Sequence, residues 1–230
     1  MVVKAVIFDL DGTIVGFNID FKAVRAEVRS FLIGIGLPAS VLSLNESIFE
    51  MLKKTEIFMK NHDKSQKNIA EATERAFSIA EKYELEAAKN TSLSPGAVET
   101  LKALKKMGLK IGLCTVNGEK STGYVLKRFK IDEYFNVVVP RDKVKYVKPN
   151  SEHLEAVLKA LKVKADEAIV VGDSVMDMKC ARELKVTAVG LPTGVSTLKD
   201  LVSSGANYFI TSLADLPSLV ENVGKTPEKQ

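Results

Sequence analysis

The feature that most constrains this chain is an alternation. Between Ser94 and Ile210, short apolar runs alternate with segments whose apolar residues recur at helical spacing. The runs are Lys110 to Thr115, Asn136 to Val139, Ala168 to Val171, Val186 to Val189 and Asn207 to Ile210. The helical segments are Pro95 to Met107, Glu119 to Phe129, Ser151 to Leu161, Met176 to Leu184 and Val195 to Val202. A further apolar run, Val2 to Phe8, opens the chain, interrupted by Lys4. Near-continuous apolar runs suit strands covered on both faces. Alternating strands and helices require parallel strands joined by helical crossovers. The expected fold is therefore α/β, a Rossmann-like parallel sheet with helices on both faces.

The region from about Phe17 to Asn90 breaks the pattern. Phe21 to Ile33 carries helical spacing, Ser40 to Met59 reads as a second helix, and Gln66 to Lys89 as a third. No strand is evident between them. The expectation is an all-helical insertion, residues 17–90, after the first strand, with residues 1–16 and 91–230 forming the α/β core. Ser94 and Pro95 fit a helix start, and Gly108 a left-handed stop. The polar tail after Asn222 is expected to fray.

Composition narrows the class. The chain has 230 residues, 46% of them hydrophobic and 27% charged, enough for a sizeable core in a soluble protein. Lysine and arginine exceed the acids by 33 to 29, a scattered excess that argues against nucleic acid as a partner. No apolar run approaches the roughly 18 residues of a membrane span, and no signal peptide is evident. The two cysteines, Cys114 and Cys180, form no CxxC pair and read as reduced, buried thiols. A cytoplasmic location follows as the expectation.

In an open parallel sheet, ligands bind beyond the carboxyl ends of the strands. Asp9, Thr115 and Asp173 each end a predicted strand and belong on that rim. Asp11 and Gly12 follow Asp9 in a turn, and Asp177 lies four residues after Asp173 in the first turn of a helix. Thr115 and the amides near Asn117 could hold a phosphate, and Lys148, placed by Pro149, could neutralise one. Each feature alone also fits a cap, a turn or a solvated side chain. Together, four acids with no histidine or cysteine among them suggest a hard cation, and Mg2+ fits. His62 and His153 read as surface or packing residues.

The chain resembles the haloacid dehalogenase superfamily, in its phosphatase branch with a helical cap. The resemblance rests on Asp9-Leu10-Asp11-Gly12-Thr13 (DxDGT), Thr115, Lys148, and Gly172-Asp173-Ser174 with Asp177 (GDSxxD). It implies a phosphoaspartyl mechanism: Asp9 as nucleophile, Asp11 as proton donor and then base, Thr115 and Lys148 as catalytic phosphate contacts beside Gly12 and Asn117. It also implies Mg2+ held by Asp9, Asp11 (through its carbonyl) and Asp173, with Asp177 either ligating the ion or orienting Lys148. Val116 separates Thr115 from Asn117 where the family commonly has Thr-Asn in sequence. The implied substrate is a small phosphorylated metabolite, phosphoglycolate or a sugar phosphate among them, handled by a monomer or homodimer. Phe17, Phe21, Arg25, Lys53 and Lys54 are candidate cap contacts. The presence of Asp11 disfavours dehalogenation. A phosphosugar mutase shares the same motifs; a phospho-accepting receiver domain shares the chemistry but not the order of the acids.

Overall fold

The computed structural model describes residues 2–225. In chain order it contains β1 (Ala5–Phe8), α1 (Phe21–Gly34), α2 (Ile48–Asn61), α3 (Gln66–Asn90), α4 (Ala97–Lys106), β2 (Lys110–Cys114) and α5 (Glu119–Arg128). There follow β3 (Val137–Val139), α6 (Glu152–Leu161), β4 (Ala168–Gly172), α7 (Val175–Leu184), β5 (Thr187–Gly190), α8 (Leu198–Ser204), β6 (Tyr208–Phe209) and α9 (Leu216–Lys225). The chain divides into two compact units, Met1–Asn18 with Asn90–Gln230, and Ile19–Lys89.

The first unit is built on one sheet of order β3-β2-β1-β4-β5-β6, and every pairing in it is parallel. Strands β2 and β3 extend it to one side of β1, and β4 to β6 to the other. The strand order therefore reverses beside β1, which opens a crevice at the carboxyl ends of β1, β2 and β4. Ala5, Ile7, Ala168 and Val170 meet Leu154, Val157, Met178 and Leu201 of α6, α7 and α8 in one buried cluster. The alternate positions Val6, Phe8, Ile111 and Leu113 are also fully buried, and the two-residue strand period turns them to the opposite face. There α4 packs on β2, and α9 on α4. Each such Val, Leu, Ile, Phe or Met side chain contributes roughly 1.5–3 kcal/mol by leaving water, so the rim rests on a rigid base.

The second unit is helical. Val24, Val28 and Leu32 of α1 pack with Met51 and Leu52 of α2 and Ala76, Ile79 and Ala80 of α3. Tyr83 donates its hydroxyl proton to Glu27 at 2.5 Å, tying α3 to α1.

Several boundaries differ from the sequence expectation. Helix α2 starts at Ile48, not Ser40. A capping box stops it there: Ser47 Oγ accepts from the Glu50 N–H at 3.2 Å, and Glu50 accepts from the Ser47 N–H at 2.7 Å. The preceding loop has its carbonyls satisfied from elsewhere, Ala39 and Leu42 by Arg29 and Val41 by Lys54. Lys54 also pairs with Glu46, so a proposed cap contact is engaged within its own unit. Helix α8 starts at Leu198 rather than Val195 because Thr197 and Asp200 form a second capping box. Helix α4 is capped at Gly96, in a left-handed conformation, and not at Ser94. Strand β1 is shorter than Val2 to Phe8, and β6 than Asn207 to Ile210. Helix α9 was not anticipated and carries the chain through Asn222 to Lys225; the remainder of the tail expected to fray lies outside the described residues.

Candidate active site

Asp9 leaves β1 into the crevice, its N–H donating to Val171 O at 3.0 Å. The turn after it depends on Gly12, whose φ of +80° is open chiefly to glycine. A Cβ there would also lie 2.6 Å from the Asp173 carboxylate, so a side chain would close the approach of the two loops. Thr115 follows β2 and is buried, and its Oγ1 accepts from the Asn117 N–H at 3.2 Å. The Asn117 side-chain amide donates to Asp11 Oδ2 at 2.5 Å. That bond fixes Asp11 at the mouth of the crevice.

Asp173 follows β4. Asp177 sits in the first turn of α7, where a capping box folds it back: its Oδ2 accepts from the Ser174 N–H at 3.2 Å and the Ser174 hydroxyl at 2.5 Å. Lys148 arrives from the segment before α6 and is buried to 3% exposure. Its ammonium donates to Asp9 Oδ1 at 2.6 Å, Asp177 Oδ1 at 2.5 Å and Cys114 O at 2.8 Å. All three N–H donors of the lysine are thereby used.

The electrostatics follow from burial. Carboxylate oxygens of Asp9, Asp173 and Asp177 all lie within 4.8 Å of one another, and all three residues are buried. One ammonium cannot offset three carboxylates. Burial raises Asp9 to about 6 even though the Lys148 charge pulls the other way. Asp173 is raised further, to about 8, by burial and then by the charges of Asp9 and Asp177. Burial alone would lower Lys148, but Asp177 and Asp9 outweigh it and hold it well above its ordinary value.

The structure thus gathers Asp9, Lys148, Asp173 and Asp177 into one bonded or closely spaced group, with Asp11 and Asn117 paired beside it. The Asp11 carboxylate is directed to Asn117 and is not among the three clustered acids. Other contacts were not foreseen. Thr13 Oγ1 lies 3.5 Å from Asp173 Oδ1, the Val195 N–H donates to Asp173 Oδ2 at 3.0 Å, and the Thr193 hydroxyl donates to Gly12 O at 2.5 Å. The loop after β5 therefore holds both Asp173 and the Gly12 turn. Its sequence signals are Pro192 and Gly194 on either side of Thr193. His153, expected to be a surface or packing residue, is fully buried and hydrogen-bonded through both ring nitrogens, whereas His62 is exposed and stacks on Phe58. Cys114 and Cys180 are buried free thiols.

The sequence model of the haloacid dehalogenase-like hydrolases matches residues 6–191. The chain belongs to that family, and it is an enzyme of the phosphatase type within it. It is 26% identical over 241 residues to the pyrophosphatase PpaX of Bacillus cereus, a match covering 98% of this chain and all of that protein. A hydrolase of Pseudomonas syringae shares its structure with a TM-score of 0.68 and 26% identity, over 96% of this chain and 100% of the other. A predicted phosphoglycolate phosphatase of Haemophilus somnus has the same fold, with a TM-score of 0.65 at 23% identity over 94% and 97% of the two chains. Among the described residues no helix is long and apolar enough to cross a membrane.

Proposed function

We propose that the protein is a cytoplasmic, Mg2+-dependent phosphatase that hydrolyses small phosphate monoesters through an aspartyl phosphate on Asp9. The observation that carries this reading is the shared ammonium of Lys148, bonded to both Asp9 and Asp177 while Asp173 stands nearby. Burial first, and then the negative charge that a lone lysine leaves uncompensated, raises Asp9 and Asp173. An all-oxygen donor set with uncompensated charge fits a hard divalent cation. Asp9, Asp173 and Asp177, with the Asp11 carbonyl, would hold Mg2+, which when bound neutralises phosphate charge beside the nucleophile.

Asp9 attacks phosphorus while its negative charge is shared with Lys148. The phosphorus–oxygen bond to the leaving group breaks, and Asp11 gives its proton to the departing alkoxide. Asp11 then takes a proton from water as that water attacks the aspartyl phosphate. Phosphate leaves and the Asp9 carboxylate is restored. Thr115, Gly12 and Asn117 hold the phosphoryl oxygens, while Lys148, its donors on Asp9, Asp177 and Cys114 O, offsets charge beside them; positioning and charge neutralisation do most of the work in such transfers. Asn117 also keeps Asp11 aimed at the crevice. In this reading the helical insertion acts as a cap domain that favours small substrates.

Pyrophosphate is a second substrate candidate, because the PpaX relative matches over its whole length. The test is phosphate release from phosphoglycolate, sugar phosphates and pyrophosphate in Mg2+, with EDTA and Asp9→Asn as controls. Release that needs Mg2+ and Asp9 is expected. Turnover unchanged in EDTA removes the metal from the reading, and full activity of Asp9→Asn removes the mechanism. An isomerised sugar phosphate in place of free phosphate makes the enzyme a mutase.

A further inference from the structure

Lys148 reaches the site from residues 144–151, which contain neither strand nor helix. A side chain that must touch three oxygens at once needs its backbone fixed, and here no ladder fixes it. Beside the turn bond from the Asn150 N–H to Val147 O, the group that holds the Lys148 N–H itself is His153, the second residue of α6, with no solvent exposure. Its Nδ1 accepts from the Lys148 N–H at 3.3 Å, and its Nε2 lies 3.0 Å from Val139 O at the end of β3. A backbone N–H only donates and a carbonyl only accepts. Nδ1 must therefore be bare and Nε2 protonated, so the neutral Nε2–H tautomer alone satisfies both partners. The ring bridges the sheet rim to the backbone of the lysine.

We infer that His153 is a positioning residue for Lys148, holding the lysine backbone to β3 so that its ammonium meets Asp9 and Asp177. The inference rests on the proposed role of Lys148 and extends it to a residue that touches neither substrate nor the acids. Burial, with the Lys148 charge second, lowers His153 to about 4, so the ring stays neutral at the pH of the assay. A lysine displaced by about 1 Å loses its hold on the nucleophile, which is worth up to about 100-fold in rate.

The experiment combines kinetics with ring spectroscopy. His153→Leu, assayed well below its melting temperature, is expected to lose about 10- to 100-fold in kcat with KM changed less than about threefold. His153→Gln presents an acceptor and a donor across one carbon, as the ring does, and is expected to recover kcat to within about threefold. In the wild type, 15N spectra at pH 7 should show the Nε2–H tautomer. Wild-type kcat in His153→Leu with only a lowered melting temperature reduces His153 to a core residue and overturns the inference. An Nδ1–H ring overturns it without any variant. Full activity in Lys148→Ala removes the reading of the lysine itself, a result separable from failure at His153.

Discussion

The charge imbalance of the acid cluster makes a prediction that runs against intuition: in EDTA, Asp173→Asn should be more stable than the wild type. Asp173 is raised from 3.8 to about 8 by burial and by Asp9 and Asp177. A carboxyl raised in the folded state binds more protons there than when unfolded. Its contribution to stability is thus fully present below pH 3.8 and is lost as pH rises toward 8. At about 1.4 kcal/mol per pH unit, the interval from pH 5 to pH 8 amounts to about 4 kcal/mol. That figure is an upper limit, since the coupled acids share protons among themselves. Asparagine removes the titration, and its side-chain oxygen can still accept from the Val195 N–H. The gap between variant and wild type should therefore open with pH, to roughly 10 °C in melting temperature for a chain of this size. Thermal unfolding followed by circular dichroism in EDTA, from pH 5 to pH 8, measures it. Parallel curves for the two proteins, or a variant less stable at pH 8, would refute the claim that the buried Asp173 charge destabilises the cluster. With Mg2+ the order should reverse, because only the wild type gains stability from binding the ion.

Further outcomes follow from single contacts. Asp11→Asn should lower kcat by about 100- to 10,000-fold, with a smaller loss on p-nitrophenyl phosphate, whose leaving group needs no proton; equal losses on both esters would contradict the acid role. In Gly194→Ala the new Cβ would lie 1.8 Å from Asp173 Oδ2, so half-maximal activity should need about tenfold more Mg2+, read from a metal titration. His153, lowered to about 4 by burial, should cost the fold about 3 kcal/mol as pH falls from 6.5 to 4, because the unfolded chain takes up a proton that the buried ring refuses. His153→Gln should flatten that limb of the pH–stability curve, and an unchanged limb would place the acid sensitivity elsewhere.

The architecture was legible because parallel strands are buried on both faces, so Ala168 to Val171 or Ile111 to Leu113 cannot easily be mistaken for half-exposed strands. The rim position of Asp9, Thr115 and Asp173 followed from topology alone. Helix starts were less legible where periodicity ran past a cap. Ser47 with Glu50, and Thr197 with Asp200, carry the capping-box spacing, yet apolar residues upstream kept the helical pattern going and hid the boundary. Thr193 and Val195 gave little signal because their partners, Gly12 and Asp173, are distant in the chain and the bonds involve main-chain atoms. His153 shares an apolar face with Leu154, Val157 and Leu161, and on such a face a histidine reads as packing until the backbone of Lys148 is located.

The arrangement explains why one lysine suffices at a site with three buried acids. A second fixed cation would cut the net negative charge of the three acids further and weaken the pull on the proposed divalent ion. With Lys148 alone, its three donors spent on Asp9, Asp177 and Cys114 O, the cluster stays net negative, which is the charge the proposed divalent ion would neutralise. Arginine would not serve in its place, since its planar fork fits paired carboxylate oxygens and not three acceptors around a point charge. The cost is that so much depends on one ammonium being in one place, which is the condition the His153 bridge between Val139 and Lys148 supplies.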